Sequence, residues 1–142
     1  MTKPQEAYVM LDATRSVAQS IQHIILRNYA DKNNLKITFY GVEFKGIEEK
    51  HFQLKQYIFD HPTKNFLLYT IYQFYNKNDG FDLELIKKVI SNKKMLYFAA
   101  EDIKIESLKD LEDIKEDLLV SHINLSNRDL MSSNDLSFLK SN

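Results

Sequence analysis

The chain has 142 residues, a formal net charge of −1 and no cysteine. This length suits one domain with a single core, and the near-neutral charge lacks the basic excess typical of nucleic-acid binders. The absence of cysteine excludes a disulfide framework, a thiolate metal site and a cysteine nucleophile. With no membrane span and no signal-peptide pattern, we expect a cytoplasmic domain that binds neither nucleic acid nor membrane.

The first part of the chain predicts two strands joined by a helix. Residues 7–11 (AYVML) predict the first strand. A helix follows, because Ser16 and Gln19 have the spacing of a capping box and apolar residues recur at helical intervals after them. Residues 36–44 (KITFYGVEF) predict the second strand, in which Gly41 indicates either a bulge or a close backbone approach.

The most apolar run of the chain is residues 65–75 (NFLLYTIYQFY), which lies between two turn signals. A continuous apolar run fits a strand buried on both faces, so we predict the central strand here. One helix is predicted before it, over residues 47–59, and another after it, over residues 83–91. Residues 95–100 (MLYFAA) predict the fourth strand.

Strands and helices therefore alternate, which indicates parallel pairing through right-handed crossovers with helices on both faces. We predict a single three-layer α/β domain at residues 1–124. Its four-stranded parallel sheet is expected in the order 2-1-3-4, as in flavodoxin-like or resolvase-like domains. A last helix is predicted over residues 107–123. Residues 125–142, rich in Ser and Asn, are expected to form a polar tail that is mobile or ordered by a partner.

In such sheets, ligands bind outside the carboxyl ends of the strands. Here this strand-end rim comprises four short segments: residues 12–16, 43–46, 73–76 and 101–102. Arg15 is a candidate for binding a phosphate or carboxylate near a helix N-terminus, or it pairs with a surface carboxylate. Glu43 and Glu101 are candidates for a catalytic acid and base on opposite sides of the rim. Gln73 and its neighbours are candidates for contact with a ligand.

Motifs for metals and cofactors are absent from the sequence. None of the four histidines has a second histidine three or four residues away, and no Gly-rich turn follows the first strand. We therefore expect neither a metal nor a cofactor. DNA recombination lacks support as well, because Asp12 stands where a recombinase would have its nucleophilic serine and the chain has only three arginines.

Four segments resemble those of a known family. They are the helix SIQHIILRNYADKNNL (20–35), the step VEF (42–44), the stretch LYTIYQF (68–74) and the closing segment MLYFAAEDIKI (95–105). In this order they resemble the sporadic carbohydrate cluster protein family, bacterial proteins found among genes for surface-glycan biosynthesis. The resemblance implies a biosynthetic setting and no particular reaction. The polar residues that match the family by position are Gln22, Arg27, Tyr29, Glu43, Tyr69, Gln73 and Glu101.

Two functions follow as expectations. The first is an accessory protein or small enzyme of surface-carbohydrate biosynthesis that binds a sugar phosphate or nucleotide-sugar at the rim. Arg15 would bind the anion, and Glu43 and Glu101 would bind hydroxyls. The second is a non-catalytic module, with a degenerate recombinase-like fold, that forms a homodimer through the last helix and the tail. In the second, Arg27 and Tyr29 would be structural.

Overall fold

The computed structural model describes residues 3–12, 17–43, 52–76 and 78–141, and their side chains apart from those of residues 12, 43, 52, 53 and 128–141. The elements in chain order are β1 (Gln5–Asp12), α1 (Gln19–Lys32), β2 (Leu35–Glu43), α2 (Phe52–Asp60), β3 (Asn65–Leu68), a 3₁₀ helix (Ile71–Phe74), β4 (Tyr75–Asn76), β5 (Gly80–Phe81), α3 (Leu83–Ser91), β6 (Met95–Phe98), β7 (Ile103–Ile105) and α4 (Leu108–Ser141).

Within the described residues, the main sheet has five strands in the order β2-β1-β3-β6-β7, and β4 and β5 form a separate antiparallel pair. β2, β1, β3 and β6 pair in parallel, whereas β7 pairs antiparallel with β6. The predicted α/β class is confirmed. The predicted four-stranded, fully parallel sheet is not fully matched, because the chain turns back after β6 and adds β7 at the edge. Asp102 in this turn has a φ of 55°, a conformation that Asp tolerates better than most residues.

The predicted central strand is shorter than its apolar run. β3 ends at Leu68, and the prediction of one strand over residues 65–75 is wrong from there on. Thr70 starts a 3₁₀ helix instead: its hydroxyl accepts a hydrogen bond from the Tyr72 N–H, and Oε1 of Gln73 accepts one from the Thr70 N–H. The run is buried almost throughout, so its apolar residues reflect burial and not the length of a strand. The hydrogen bonds of Thr70 and Gln73 mark where the strand stops.

The two faces of the sheet are covered unequally. Among the described helices, only α1 packs on one face, where it forms a core with these residues: Ala7, Val9, Leu11, Leu26, Tyr29, Ala30, Leu35, Leu67, Tyr69, Tyr97 and Ala99. On the other face, α2, α3 and α4 all contribute to the larger core, which includes Leu54, Phe66, Ile86, Phe98 and Leu118. The helical layers predicted on both faces are therefore present, with most of the packing on one of them.

Of the two features that Gly41 indicates in the sequence, the structure shows the close backbone approach at Gly41 itself, whereas the bulge of β2 lies three residues before it. The register with β1 shifts between the pairs Ala7–Ile37 and Tyr8–Phe39, so the bulge lies at Thr38. At Gly41 the backbone is approached closely, because a Cβ atom there would lie 2.5 Å from Cε2 of Tyr57. The bulge reverses the alternation of side chains, and Phe39 faces α2 while Tyr40 faces α1.

The helix boundaries agree with the sequence in part. α3 begins and ends as predicted, and the Asp82 carboxylate accepts a hydrogen bond from the Leu85 N–H at 3.1 Å. α1 begins at Gln19, and the predicted cap Ser16 lies outside the described residues. α4 does not end at residue 123 but continues to Ser141, through the segment predicted as a tail; the domain boundary at residue 124 stays a prediction. No helix in the described ranges is long and apolar enough to cross a membrane.

Candidate functional site

The predicted strand-end rim is described on the side of β3 and β6. Arg15 and the side chain of Glu43 lie outside the described residues, so the predicted anion site and the pair of Glu43 with Glu101 stay predictions. Glu101 lies in the turn between β6 and β7, and Gln73 lies in the 3₁₀ helix after β3. The hydrogen bonds of these two residues show how the described part of the rim is held in place.

The Glu101 carboxylate binds the start of the 3₁₀ helix. Its Oε2 accepts a hydrogen bond from the Thr70 hydroxyl at 2.5 Å, and its Oε1 accepts one from the Ile71 N–H at 2.9 Å. Because these bonds join two loops that are 30 residues apart in sequence, the carboxylate fixes the geometry of this end of the sheet. The predicted catalytic residue therefore has a positioning role in the structure.

Three predicted binding residues are enclosed by the protein. Gln73 is 3% exposed, and its Nε2 donates a hydrogen bond to the carbonyl oxygen of Met10 at 3.3 Å. Gln22 is fully buried and donates to the carbonyl oxygen of Val17 at 3.1 Å. Tyr69 packs in the core under α1. Buried polar groups need hydrogen-bond partners, and these two bonds tie the Gln side chains to the backbone. Ligand binding by Gln22, Tyr69 and Gln73 stays a prediction.

α1 leaves one cleft on each of its flanks. The first, of about 220 Å³, lies between α1 and the end of β6, and we call it the β6 cleft; its lining residues are Ile25, Asn28, Tyr29, Lys32, Ala99 and Asp102. Tyr29 packs against Tyr97 with ring centroids 6.3 Å apart. Burial, and to a lesser extent the negative charge of Asp102, raises the pKa of Tyr29 to about 12. Its phenol is therefore protonated at neutral pH and able to donate a hydrogen bond.

The second cleft, of about 450 Å³, lies between α1 and β2, and we call it the β2 cleft; its lining residues are Pro4, Arg27, Ala30, Asp31, Asn34, Leu35, Lys36, Ile37 and Tyr40. Its volume is in the range of about 300–1,000 Å³ that is usual for ligand sites. In the described part of the chain, neither Arg27 nor Lys36 forms an ion pair. The cleft therefore offers two cationic side chains against the single carboxylate of Asp31.

Tyr40 provides a flat wall for the β2 cleft. Its side chain is 43% exposed, and behind it lies the ring of His23, with the two ring centroids 5.0 Å apart. The sequence prediction did not include Tyr40 or Lys36. The signal was present in the consecutive pair Phe39-Tyr40, because neighbouring residues in a strand face opposite sides and an edge strand has little to cover them.

The predicted site residues with described side chains thus lie in four separate places: the rim network, the core, the β2 cleft and the β6 cleft. Arg27 and Tyr29 line different clefts, on opposite flanks of α1. Comparisons of the chain with protein-family models, with curated proteins and with solved structures found no match. Among the described residues, no group of three His, Asp or Glu side chains is arranged to hold a metal ion.

Proposed function

We propose that the protein is an accessory protein or small enzyme of bacterial surface-carbohydrate biosynthesis that binds a sugar phosphate or a nucleotide-sugar. The setting rests on the resemblance of the chain to the sporadic carbohydrate cluster protein family. The flavodoxin-like or resolvase-like strand order predicted for the chain belongs to the same proposal. The ligand class is supported by one structural observation: Arg27 and Lys36 line the β2 cleft beside the exposed ring of Tyr40.

Each of these side chains suits one part of such a ligand. The planar guanidinium of Arg27 presents paired N–H donors that match two phosphate oxygens, and Lys36 adds a second positive charge. The face of the Tyr40 ring offers an apolar surface to a sugar ring or a base. The carboxylate of Asp31, at the same wall as Arg27, accepts hydrogen bonds from sugar hydroxyls.

In the form of the proposal in which the protein is a small enzyme, the reaction takes place at the strand-end rim. There Arg15 would bind the anion, and Glu43 and Glu101 would act as the acid and base on hydroxyls. The two hydrogen bonds that Glu101 accepts leave part of its acceptor capacity for a ligand, since a carboxylate has about four lone-pair sites. Tyr29, in the neighbouring β6 cleft, would donate a hydrogen bond to the sugar.

Thermal unfolding tests the proposal and distinguishes its two locations. Wild type, Arg27→Ala and Arg15→Ala are unfolded with and without a panel of sugar phosphates and nucleotide-sugars; Lys109→Ala, an exposed cation on α4, is the control. A ligand at about 100 times its Kd adds about 2.7 kcal/mol to the free energy of unfolding. We expect one panel member to raise the Tm, with the effect lost in Arg27→Ala and kept in Lys109→Ala.

The other outcomes are equally informative. If the rise in Tm is lost only in Arg15→Ala, the ligand binds at the rim and the assignment of the β2 cleft is wrong. If no panel member raises the Tm of the wild type at millimolar concentration, the proposed ligand class is wrong.

The second candidate function, a homodimeric interaction module, is favoured by a different observation. Leu119, Val120 and Ile123 on α4 are 58%, 53% and 47% exposed, and their spacing places them together on one side of the helix. A cleft of about 160 Å³ lies beside them, with Phe81, Leu83 and Leu118 in its lining. In this function a second copy of the chain covers the three side chains.

Sedimentation equilibrium tests the dimer. Ile123→Glu would introduce a charge into the proposed interface, and we expect it to shift the mass toward that of the monomer. Ile24→Glu is the matched control, because Ile24 is equally apolar and exposed but lies on α1. A monomeric wild type at high micromolar concentration would contradict this function.

A further inference from the structure

A further cleft opens on the other face of β2, between that strand and α2, and we call it the α2 cleft. It measures about 330 Å³ and its lining residues are Met10, Phe39, Gly41, Val42, Gln56, Tyr57, Asp60 and His61. Its chemistry differs from that of the β2 cleft. Asp60 is the only charged Asp, Glu, Lys or Arg side chain among the described lining residues, and aromatic rings form much of the wall.

Three rings of the α2 cleft lie against one another. The ring centroid of His61 is 5.3 Å from that of Phe39 and 5.0 Å from that of Tyr57, and the Phe39 and Tyr57 centroids are 6.1 Å apart. Tyr8 supports Phe39 with a centroid distance of 5.2 Å. Phe39 nevertheless remains 45% exposed, so part of its ring is available to a ligand.

The aromatic wall is held in place by the sheet. The Tyr57 hydroxyl donates a hydrogen bond to the carbonyl oxygen of Val9 in β1 at 2.7 Å. This bond fixes the position of the Tyr57 ring against the sheet. Gly41 leaves the space that this ring occupies, because a Cβ atom would lie 2.5 Å from Cε2 of Tyr57. A wall fixed in this way loses little conformational entropy when a ligand binds.

Polar groups stand beside the wall. Gln56 and Asp60 are exposed side chains one helical turn apart on α2, and His61 follows directly after the helix. An amide, a carboxylate and an imidazole next to an aromatic ring match the two-sided chemistry of a pyranose. Such a sugar has a face of C–H groups that packs on the ring and hydroxyl groups at its periphery that form hydrogen bonds.

We infer that the α2 cleft binds a neutral saccharide, with a pyranose ring packed on Phe39 and its hydroxyl groups hydrogen-bonded to Asp60 and Gln56. A phosphorylated sugar is disfavoured here, because the carboxylate of Asp60 repels a phosphate and no Lys or Arg among the described lining residues offsets it. The choice of a carbohydrate rests on the proposed function, whereas the cleft and its residues are separate from those that bind the anionic ligand. The protein would thus bind a charged and an uncharged sugar on opposite faces of β2.

Saturation-transfer NMR with neutral probes tests this inference. The probes are the methyl α-glycosides of glucose, galactose, mannose, rhamnose and N-acetylglucosamine, each added to the full chain. Phe39→Ala removes the exposed ring of the wall, and Leu108→Ala is the control, because Leu108 is a large apolar side chain of similar exposure, 52%, on α4. We expect transfer to the C–H protons of at least one glycoside, with affinity at least ten-fold weaker in Phe39→Ala and unchanged in Leu108→Ala.

A second variant guards against a loss of folding. Asp60→Ala leaves the rings in place and should also weaken binding, whereas Asp113→Ala, an exposed acid on α4, should not. No transfer to any glycoside, or transfer unchanged in Phe39→Ala and Asp60→Ala, would overturn the inference. Sugar-phosphate binding is measured in parallel on the wild type and on Arg27→Ala. This second measurement distinguishes failure of the neutral site from failure of the proposed function.

Discussion

The two faces of the main sheet differ in how they are covered, and the clefts lie at the margins of that cover. Of the described helices, three pack on one face, where side chains such as Phe66, Phe74 and Phe98 are almost completely buried. α1 alone, of the described helices, covers the other face, and a cleft opens on each of its flanks. Space for ligands therefore lies where helical cover ends: along α1, and at the edge strand β2, whose two faces expose Phe39 and Tyr40.

Truncating a residue of the well-covered face should have the largest effect. Phe98 is fully buried and packs edge-on against Phe74, with ring centroids 5.7 Å apart. We expect Phe98→Ala to lower the free energy of unfolding by about 3–5 kcal/mol, because it leaves a cavity in a packed core. Ile24→Ala, on the exposed side of α1, should change it by about 0.5 kcal/mol at most. Urea unfolding measures both, and similar losses would contradict the tight packing of Phe98 in the larger core.

The second largest expected loss in the free energy of unfolding follows from the hydrogen bonds of Glu101. Glu101→Ala removes the acceptor of the Thr70 hydroxyl and the Ile71 N–H, and we expect a loss of about 1–3 kcal/mol in the free energy of unfolding. The matched control is Glu84→Ala, which breaks only an exposed pair with Lys87. A Glu101→Ala variant as stable as the wild type would show that the carboxylate is not needed by the fold, and would favour its catalytic role.

A methyl group at Gly41 tests the aromatic wall of the α2 cleft. Gly41→Ala forces the Tyr57 ring to move, and overpacking of this kind costs about 1–3 kcal/mol. In a Tyr57→Leu background the same change should cost less, because the ring is gone. Equal costs in both backgrounds, by urea unfolding, would show that the contact with Tyr57 does not constrain this position.

The smallest expected effect is a change in the alkaline pH dependence of the Tm when Tyr29 of the β6 cleft is replaced. The pKa of Tyr29 is raised to about 12 in the folded protein, above the ordinary value of about 10. The folded state thus favours the neutral phenol; this contribution is complete below about pH 10 and is lost as the pH rises toward 12. Burial also raises the pKa values of Tyr57 and Tyr97. Tyr29→Phe should therefore reduce, without abolishing, the fall in Tm between about pH 10 and 12, and an unchanged fall would contradict the assignment.

The sequence predicted the α/β class because alternating elements and the apolar run of residues 65–75 reflect burial, which dominates folding. It did not predict where β3 ends, since that depends on two local hydrogen bonds of Thr70 and Gln73 within an apolar run. β7 has only three residues, too few for a pattern.

The candidate site was harder to predict, because polar residue type does not distinguish a buried structural role from a ligand contact. Gln22, Gln73 and Glu101 hydrogen-bond to the chain, whereas Arg27 lines an open cleft. Tyr40 was not predicted, although the predicted strand order already places the second strand at an edge; the face that Tyr40 occupies depends on the bulge at Thr38, which the sequence did not locate.

The most direct test of the central claim, that the thinly covered face binds an anionic sugar beside Arg27, is a ¹H–¹⁵N NMR titration. Glucose 1-phosphate and UDP-glucose are added in turn to the labelled full chain, and the amide shifts are mapped on the structure. We expect the largest shifts to cluster at the end of α1 and along β2, between residues 27 and 40. Shifts confined to residues 70–73 and 99–102, or no shift at millimolar ligand, would contradict the claim.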